Sequence, residues 1–185
     1  MRNLYFLVFL LLNSCVADLE KSTIHYKNHI IGEPIDELNK VKVYYNGDNI
    51  LQSQGKHNVD GYYCGKKWQC VEFIKRYYFL HLKHEMPNGY GHASSFFNNN
   101  LKDNSFNSAR GLKQFKNPSS TKPKVDDIIV WGGKYGHVAI VSKVANNKIE
   151  VIQQNVGLET RMEYLLEKIN GKYVLDGGIS GWLRK

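Results

Sequence analysis

Apolar positions along the chain follow two different periods. From Trp68 onward they fall at helical spacing: Val71, Ile74, Tyr77 and Tyr78, then His81 or Leu82, with Phe73 and Leu80 on an adjoining stripe. Pro87-Asn88-Gly89 stops that pattern. The last third of the chain changes to β-branched runs. Asp127–Trp131, Gly136–Val141 and Lys148–Gln153 are separated by Gly-Gly and Asn-Asn turns, which predicts consecutive strands of an antiparallel meander. Lys172–Leu175 and Ile179–Leu183 are expected to add edge strands. Val41–Tyr45 alternates like a short strand and ends at the turn residues Asn46-Gly47-Asp48. A helix followed by a sheet predicts the α+β class.

The segments between these elements are polar. Residues 18–40 are read as a linker or N-terminal arm, and Asn49–Lys67 as a loop. Residues 98–121, rich in Asn, Ser, Lys and Gly, are expected to form a long connection with one short helix, the kind of segment that often rims a binding site. Residues 41–185 then form one domain.

The first residues change the picture. Arg2 precedes the apolar run Leu4–Leu12, which is too short to span a bilayer, so residues 1–17 are read as a signal peptide. Two processing routes stay open: cleavage after Ala17, or a lipobox at Leu12-Asn13-Ser14-Cys15 with a lipid anchor on Cys15. The expected location is secreted or periplasmic, with a membrane-anchored lipoprotein as the alternative. No other segment is long and apolar enough to form a membrane span.

The chain has 185 residues, a formal net charge of +8 and 42% hydrophobic residues, which suits one buried core. The positive balance favours anionic partners, but the lysines are scattered and no nucleic-acid-binding signature appears, so a nucleic-acid partner is not expected. With Cys15 in the leader, only Cys64 and Cys70 remain, too few for a disulfide framework.

Cys70 lies in the first turn of the expected helix. There the unpaired N–H groups, the positive end of the helix dipole, and Lys66 and Lys67 would favour a thiolate. A small buried core cysteine is the other reading of that position. His137 opens a strand after Gly136, and a rigid strand packed across a helix start can hold an imidazole within reach of a thiol. Gln153 or Asn155, at the end of the next strand and on one face of it, could fix the imidazole tautomer. Glu150 falls on the opposite face and is set aside. His81-Leu82-Lys83-His84-Glu85 matches no common zinc-protease order and is read as a solvated helix end, so neither metal nor cofactor is expected. Cys64 is read as an inert thiol, although it is near enough in sequence to cap Cys70 on oxidation.

Four stretches, Lys67–Phe73, Asp127–Trp131, Gly136–Val141 and Gln154-Asn155-Val156, resemble in order the motifs of the CHAP family, the cysteine, histidine-dependent amidohydrolases/peptidases. The resemblance covers about residues 41 to 183 and implies a papain-like fold, Cys70 as nucleophile, His137 as base and Asn155 as a polar site residue. It is strongest to an amidase subgroup that has a glutamate where this chain has Gln153. The subgroup implies an amide joining glutathione to a polyamine; the leader implies bacterial cell-wall peptide, peptidoglycan. A non-catalytic binding protein using the same groove is the third expectation.

Overall fold

The computed structural model describes residues 29–185. The signal peptide read at residues 1–17 and the lipid anchor read at Cys15 lie outside these residues. Among the described residues, three sheets and one α-helix make an α+β domain. The helix α1 (Cys70–Leu80) follows a hairpin of β3 (Lys56–Val59) and β4 (Tyr62–Lys66). A second hairpin joins β1 (Pro34–Leu38) to β2 (Val41–Tyr44).

The main sheet has eight strands. Three form the expected meander, β7 (Ile128–Trp131), β8 (His137–Val144) and β9 (Lys148–Ile152), and it continues through an unexpected strand, β10 (Arg161–Ile169), to β11 (Lys172–Leu175). On the other side of β7 lie β12 (Ile179–Arg184), β6 (Leu112–Lys116) and β5 (Ser105–Asn107). Residues 172–175 are an edge strand as expected, but Ile179–Arg184 is interior, paired with β7 and β6.

Register sorts the side chains of the sheet into two cores. Val130 pairs with Val138, and Ile128 with Ile140; these residues join Phe73, Ile74, Tyr77 and Tyr78 of α1 in one core. Ile129 pairs with Ala139, and these belong to the second core with Val151 and Trp182. Strand alternation therefore buries both faces along Ile128–Val130 of β7 and Val138–Val141 of β8, which is why both stretches read as unbroken apolar runs.

Three polar stretches are more ordered than their sequence suggests. The arm at 29–40 contains β1, tied to β10 through Asp36, which accepts from Arg161 Nε at 2.8 Å and Thr160 Oγ1 at 2.7 Å. The loop at 49–67 contains β3 and β4. The long connection contains β5 and β6 in place of a helix, and the short 3₁₀ turn (Ala93–Phe96) lies just before it. Helix α1 is buried on nearly all sides, including Glu72, Lys75 and Arg76, because β2, β4 and β8 pack around it.

Candidate active site

Cys70 is the first residue of α1, with Gln69 as an extended N-cap. The N–H groups that open a helix have no partners within it. Here the N–H groups of Cys70 and Val71 bear on the Cys70 sulfur, joined by the N–H of Val138. Val138 stands next to His137 in β8, the strand on which the helix packs. Cys70 is buried, with 7% of its surface exposed.

His137 begins β8, opposite Trp131 of β7. The Trp131 indole donates to Gly177 O at 3.0 Å, and the two rings lie 5.5 Å apart. Gly136 is required at the approach to the strand. Its φ is +68°, and a Cβ there would sit 2.4 Å from Trp131 O and 2.6 Å from Ser94 N. The 3₁₀ turn reaches this point by donating from Ser94 N to Tyr135 O at 2.9 Å.

The tautomer of His137 follows from its neighbours. Gln153 Nε2 donates to Glu159 O at 3.1 Å, and a carbonyl can only accept. Gln153 Oε1 is thereby turned toward His137 Nε2, 3.0 Å away, and His137 Nε2 must carry the proton. In the neutral ring, Nδ1 is left as the bare acceptor. Gln153 is itself anchored, since its backbone N donates to Thr160 O at 2.8 Å.

Burial sets the charge state of the pair. Desolvation pushes the Cys70 thiol up to about 11, against the pull of the Val138, Val71 and Cys70 N–H groups. Burial also pushes the His137 imidazole below its usual range, only partly opposed by Gln153. At neutral pH the resting pair is thiol and imidazole. At Cys70, desolvation outweighs the pull of the helix start that favours a thiolate.

Asn155 does not share the role of Gln153. The strand ends at Ile152 and Asn155 has φ +70°, so period-two alternation no longer applies and the two side chains diverge. Asn155 accepts from Asn46 Nδ2 at 2.7 Å and donates to Ile50 O at 2.9 Å and Gln69 Oε1 at 3.1 Å. Glu150 is far from this chemistry, as expected. Burial pushes its carboxyl up, but Ser142, Lys143 and Arg161 outweigh that and bring it down to about 2.

A buried polar cluster under the nucleophile has less obvious sequence signals. Glu72 accepts from Arg76 Nε at 2.5 Å and from Gln154 Nε2 at 2.8 Å, and meets His57 Nδ1 at 2.8 Å. Gln154 also donates to Gln69 O at 3.0 Å and accepts from Tyr44 N at 2.8 Å. These bonds fix the first turn of α1 against β2 and the end of β9. The i, i+4 pair Glu72–Arg76 was visible in the sequence, but its burial was not.

The remaining candidates fall elsewhere. Cys64 and Cys70 are both free; Cys64 is fully buried in β4, its thiol directed at Tyr62 O, 3.7 Å away. His84 Nε2 meets Arg110 O at 2.9 Å, and His81 caps α1 beside Asn39. Among the described residues no group of three His, Cys, Asp or Glu side chains gathers to hold a metal. Among them, too, no helix is long and apolar enough to cross a membrane. The connection expected to rim a site lines, with Ser95 and Phe97, a pocket of 490 Å³ that includes Asn98, Leu101 and Phe106 and none of Cys70, His137 or Gln153.

Comparison with known proteins bears on this geometry. Residues 60–155 match the family model described as the CHAP domain. The bifunctional glutathionylspermidine synthetase/amidase of Escherichia coli (strain K12) is 31% identical over 157 residues, covering 75% of this chain and 25% of that protein. The Shigella flexneri protein of the same name gives the same figures. The glutathionylspermidine synthase of Crithidia fasciculata is 33% identical over 102 residues, 51% of this chain and 14% of that protein. The chain thus spans a quarter or less of the length of the relatives it matches.

Proposed function

The chain belongs to the CHAP domain family, that of the cysteine, histidine-dependent amidohydrolases/peptidases, and from that premise we propose that it hydrolyses an amide bond with Cys70 as nucleophile and His137 as base. One observation supports the reading: the Cys70 sulfur feels the N–H of Val138, the residue next to His137 in β8, and the His137 Nε2 proton is held by Gln153, which leaves Nδ1 as the acceptor.

Because both groups rest neutral, the proton moves as the substrate is attacked. Cys70 Sγ bonds to the amide carbonyl carbon while its proton passes to His137 Nδ1. The N–H of Cys70, at the helix start, stabilises the oxyanion. His137 then gives the proton to the leaving nitrogen, the C–N bond breaks, and an acyl thioester remains. Water, deprotonated by His137, attacks the thioester and releases the acid and the thiol. Gln153 orients the imidazole throughout, as a papain-like arrangement of helix and sheet would require. Asn155 acts on the site at one remove.

For the substrate we propose cell-wall peptide, reached by an exported chain. The leader composition at residues 1–17 supports export, and a net charge of +8 suits an anionic polymer better than a polycation. A second reading is an amide of glutathione with a polyamine, favoured by the names of the relatives that match three quarters of this chain. Incubation of the purified protein with peptidoglycan and with glutathionylspermidine, followed by mass spectrometry, separates the two. Release of neither product, with undiminished binding of wall material by Cys70→Ala, points to a non-catalytic binding protein and overturns the hydrolase.

A further inference from the structure

Residues 46–54, between β2 and β3, are fastened to both sides of the candidate site. From the helix side, Gln69 Nε2 donates to Ile50 O at 3.1 Å and to Gln52 O. From the sheet side, Asn155 Nδ2 donates to Ile50 O at 2.9 Å and its Oδ1 accepts from Asn46 Nδ2 at 2.7 Å. Asn155 also donates to Gln69 Oε1 at 3.1 Å, closing the ring of amides. The far end of the segment is paired with the strand that leads to the helix: Gln54 N donates to Lys67 O and Lys67 N to Gly55 O, both at 2.8 Å. Asn49 caps the tip, its Oδ1 accepting from Leu51 N at 3.1 Å.

The tip of this pinned segment is apolar and open. Ile50 is 55% exposed and Leu51 71% exposed. Single exposed apolar residues are ordinary on a surface. Here two in succession are held in place by the residue before the nucleophile and by a residue two positions beyond Gln153. An apolar group fixed beside a reactive atom gains binding area without first having to be ordered.

We propose that Ile50 and Leu51 form an apolar lip of the substrate cleft, taking an aliphatic portion of the substrate next to the scissile amide. Gln69 and Asn155 are the positioning residues that set the lip. This rests on the reading of Cys70 as the nucleophile. It also gives Asn155 a different task from Gln153: one places the substrate wall, the other the base.

The test needs no natural substrate. The full chain is alkylated with iodoacetamide and with N-hexyliodoacetamide, the modified cysteine is located by mass spectrometry, and the ratio of the two rates at Cys70 is compared with that for N-acetylcysteine. A lip covering about two methylene groups raises the ratio roughly tenfold over the free thiol. Ile50→Ser with Leu51→Ser returns it to the free-thiol value. Asn155→Ala lowers it severalfold without moving the pH at which alkylation is half-maximal, a signature that loss of fold would not give. Leu165→Ser, on the exposed part of β10, keeps the full ratio. A wild-type ratio equal to that of the free thiol, or a ratio kept in the Ile50/Leu51 variant, overturns the lip. Failure of the hydrolase itself reads differently: His137→Ala then leaves the pH profile of alkylation by iodoacetamide unmoved, whatever the ratio.

Discussion

Replacing Gln153 by glutamate puts a carboxylate where an amide oxygen now lies 3.0 Å from His137 Nε2. The attraction between an imidazolium and a carboxylate about 4 Å apart is about 4 kcal/mol at an effective dielectric near 20. Two effects oppose it. The new charge would occupy a site only 4% exposed, and it would lose the donor that now meets Glu159 O, turning an oxygen toward that carbonyl. Burying a carboxylate costs several kcal/mol in its own right. We expect about 1–2 kcal/mol to remain in favour of imidazolium, roughly a tenfold increase in the thiolate–imidazolium form. The sign follows from the resting state. Burial holds His137 down and Cys70 up, so both are neutral at pH 7. Stabilising the imidazolium makes Cys70 lose its proton at lower pH and His137 at higher pH, widening the active range at both ends. Pseudo-first-order alkylation by iodoacetamide from pH 5 to 9, with circular dichroism on each sample, reads this directly. A folded Gln153→Glu protein that alkylates within twofold of wild type at every pH refutes the assignment of Gln153 as the group governing the base.

Other substitutions test the surroundings. Cys70→Ala is expected to lower amide hydrolysis at least about a thousandfold, measured by product release, because the covalent step is lost. Cys64, buried and with its thiol pushed by burial up to about 11, should resist labelling until the protein unfolds, as mass spectrometry across a urea series would show. Gly136→Ala should cost about 3 kcal/mol in chemical denaturation, since its Cβ meets two backbone atoms at a positive φ. Glu72→Ala should cost about 3–5 kcal/mol by leaving Arg76 buried without its anion. Burial raises the Glu72 carboxyl, but His57, Arg76 and Gln154 outweigh it, so the folded group titrates below its ordinary range. Its stabilisation is present above that range and is lost as pH falls through the lower folded value. The Glu72→Ala protein should accordingly lose stability less steeply than wild type on acidification.

The elements that carry the chemistry were those with a strong period. Helix α1 and strands β7, β8 and β9 bury residues on every turn or both faces, so their apolar runs showed in the sequence. The strands that escaped notice are polar. Nearly every position of β10 is exposed or half-exposed, which erases alternation, although Asn170-Gly171 after it is a hairpin signal. Asp60-Gly61 is a similar signal between β3 and β4, flanked by residues too mixed to read as strands. Cys70 and His137 could be paired because each sits at the start of a regular element. Asn155 could not be assigned, because its side chain direction depends on a positive φ beyond the strand end. The neutral resting pair was equally hidden: spacing shows a helix start, but not how much water the fold removes from it.

Strand β12 works as a keystone. It lies between β6 and β7 and so joins the β5–β6 ribbon to the five-stranded meander within the sheet, and it supplies Leu183 to one core and Trp182 to the other. A polypeptide ending before Ile179 would leave two raw ladders, β6 and β7, each open to pairing with a neighbouring molecule. Competence for catalysis should then arrive late during synthesis, only after residues 179–184 have threaded between partners made long before them.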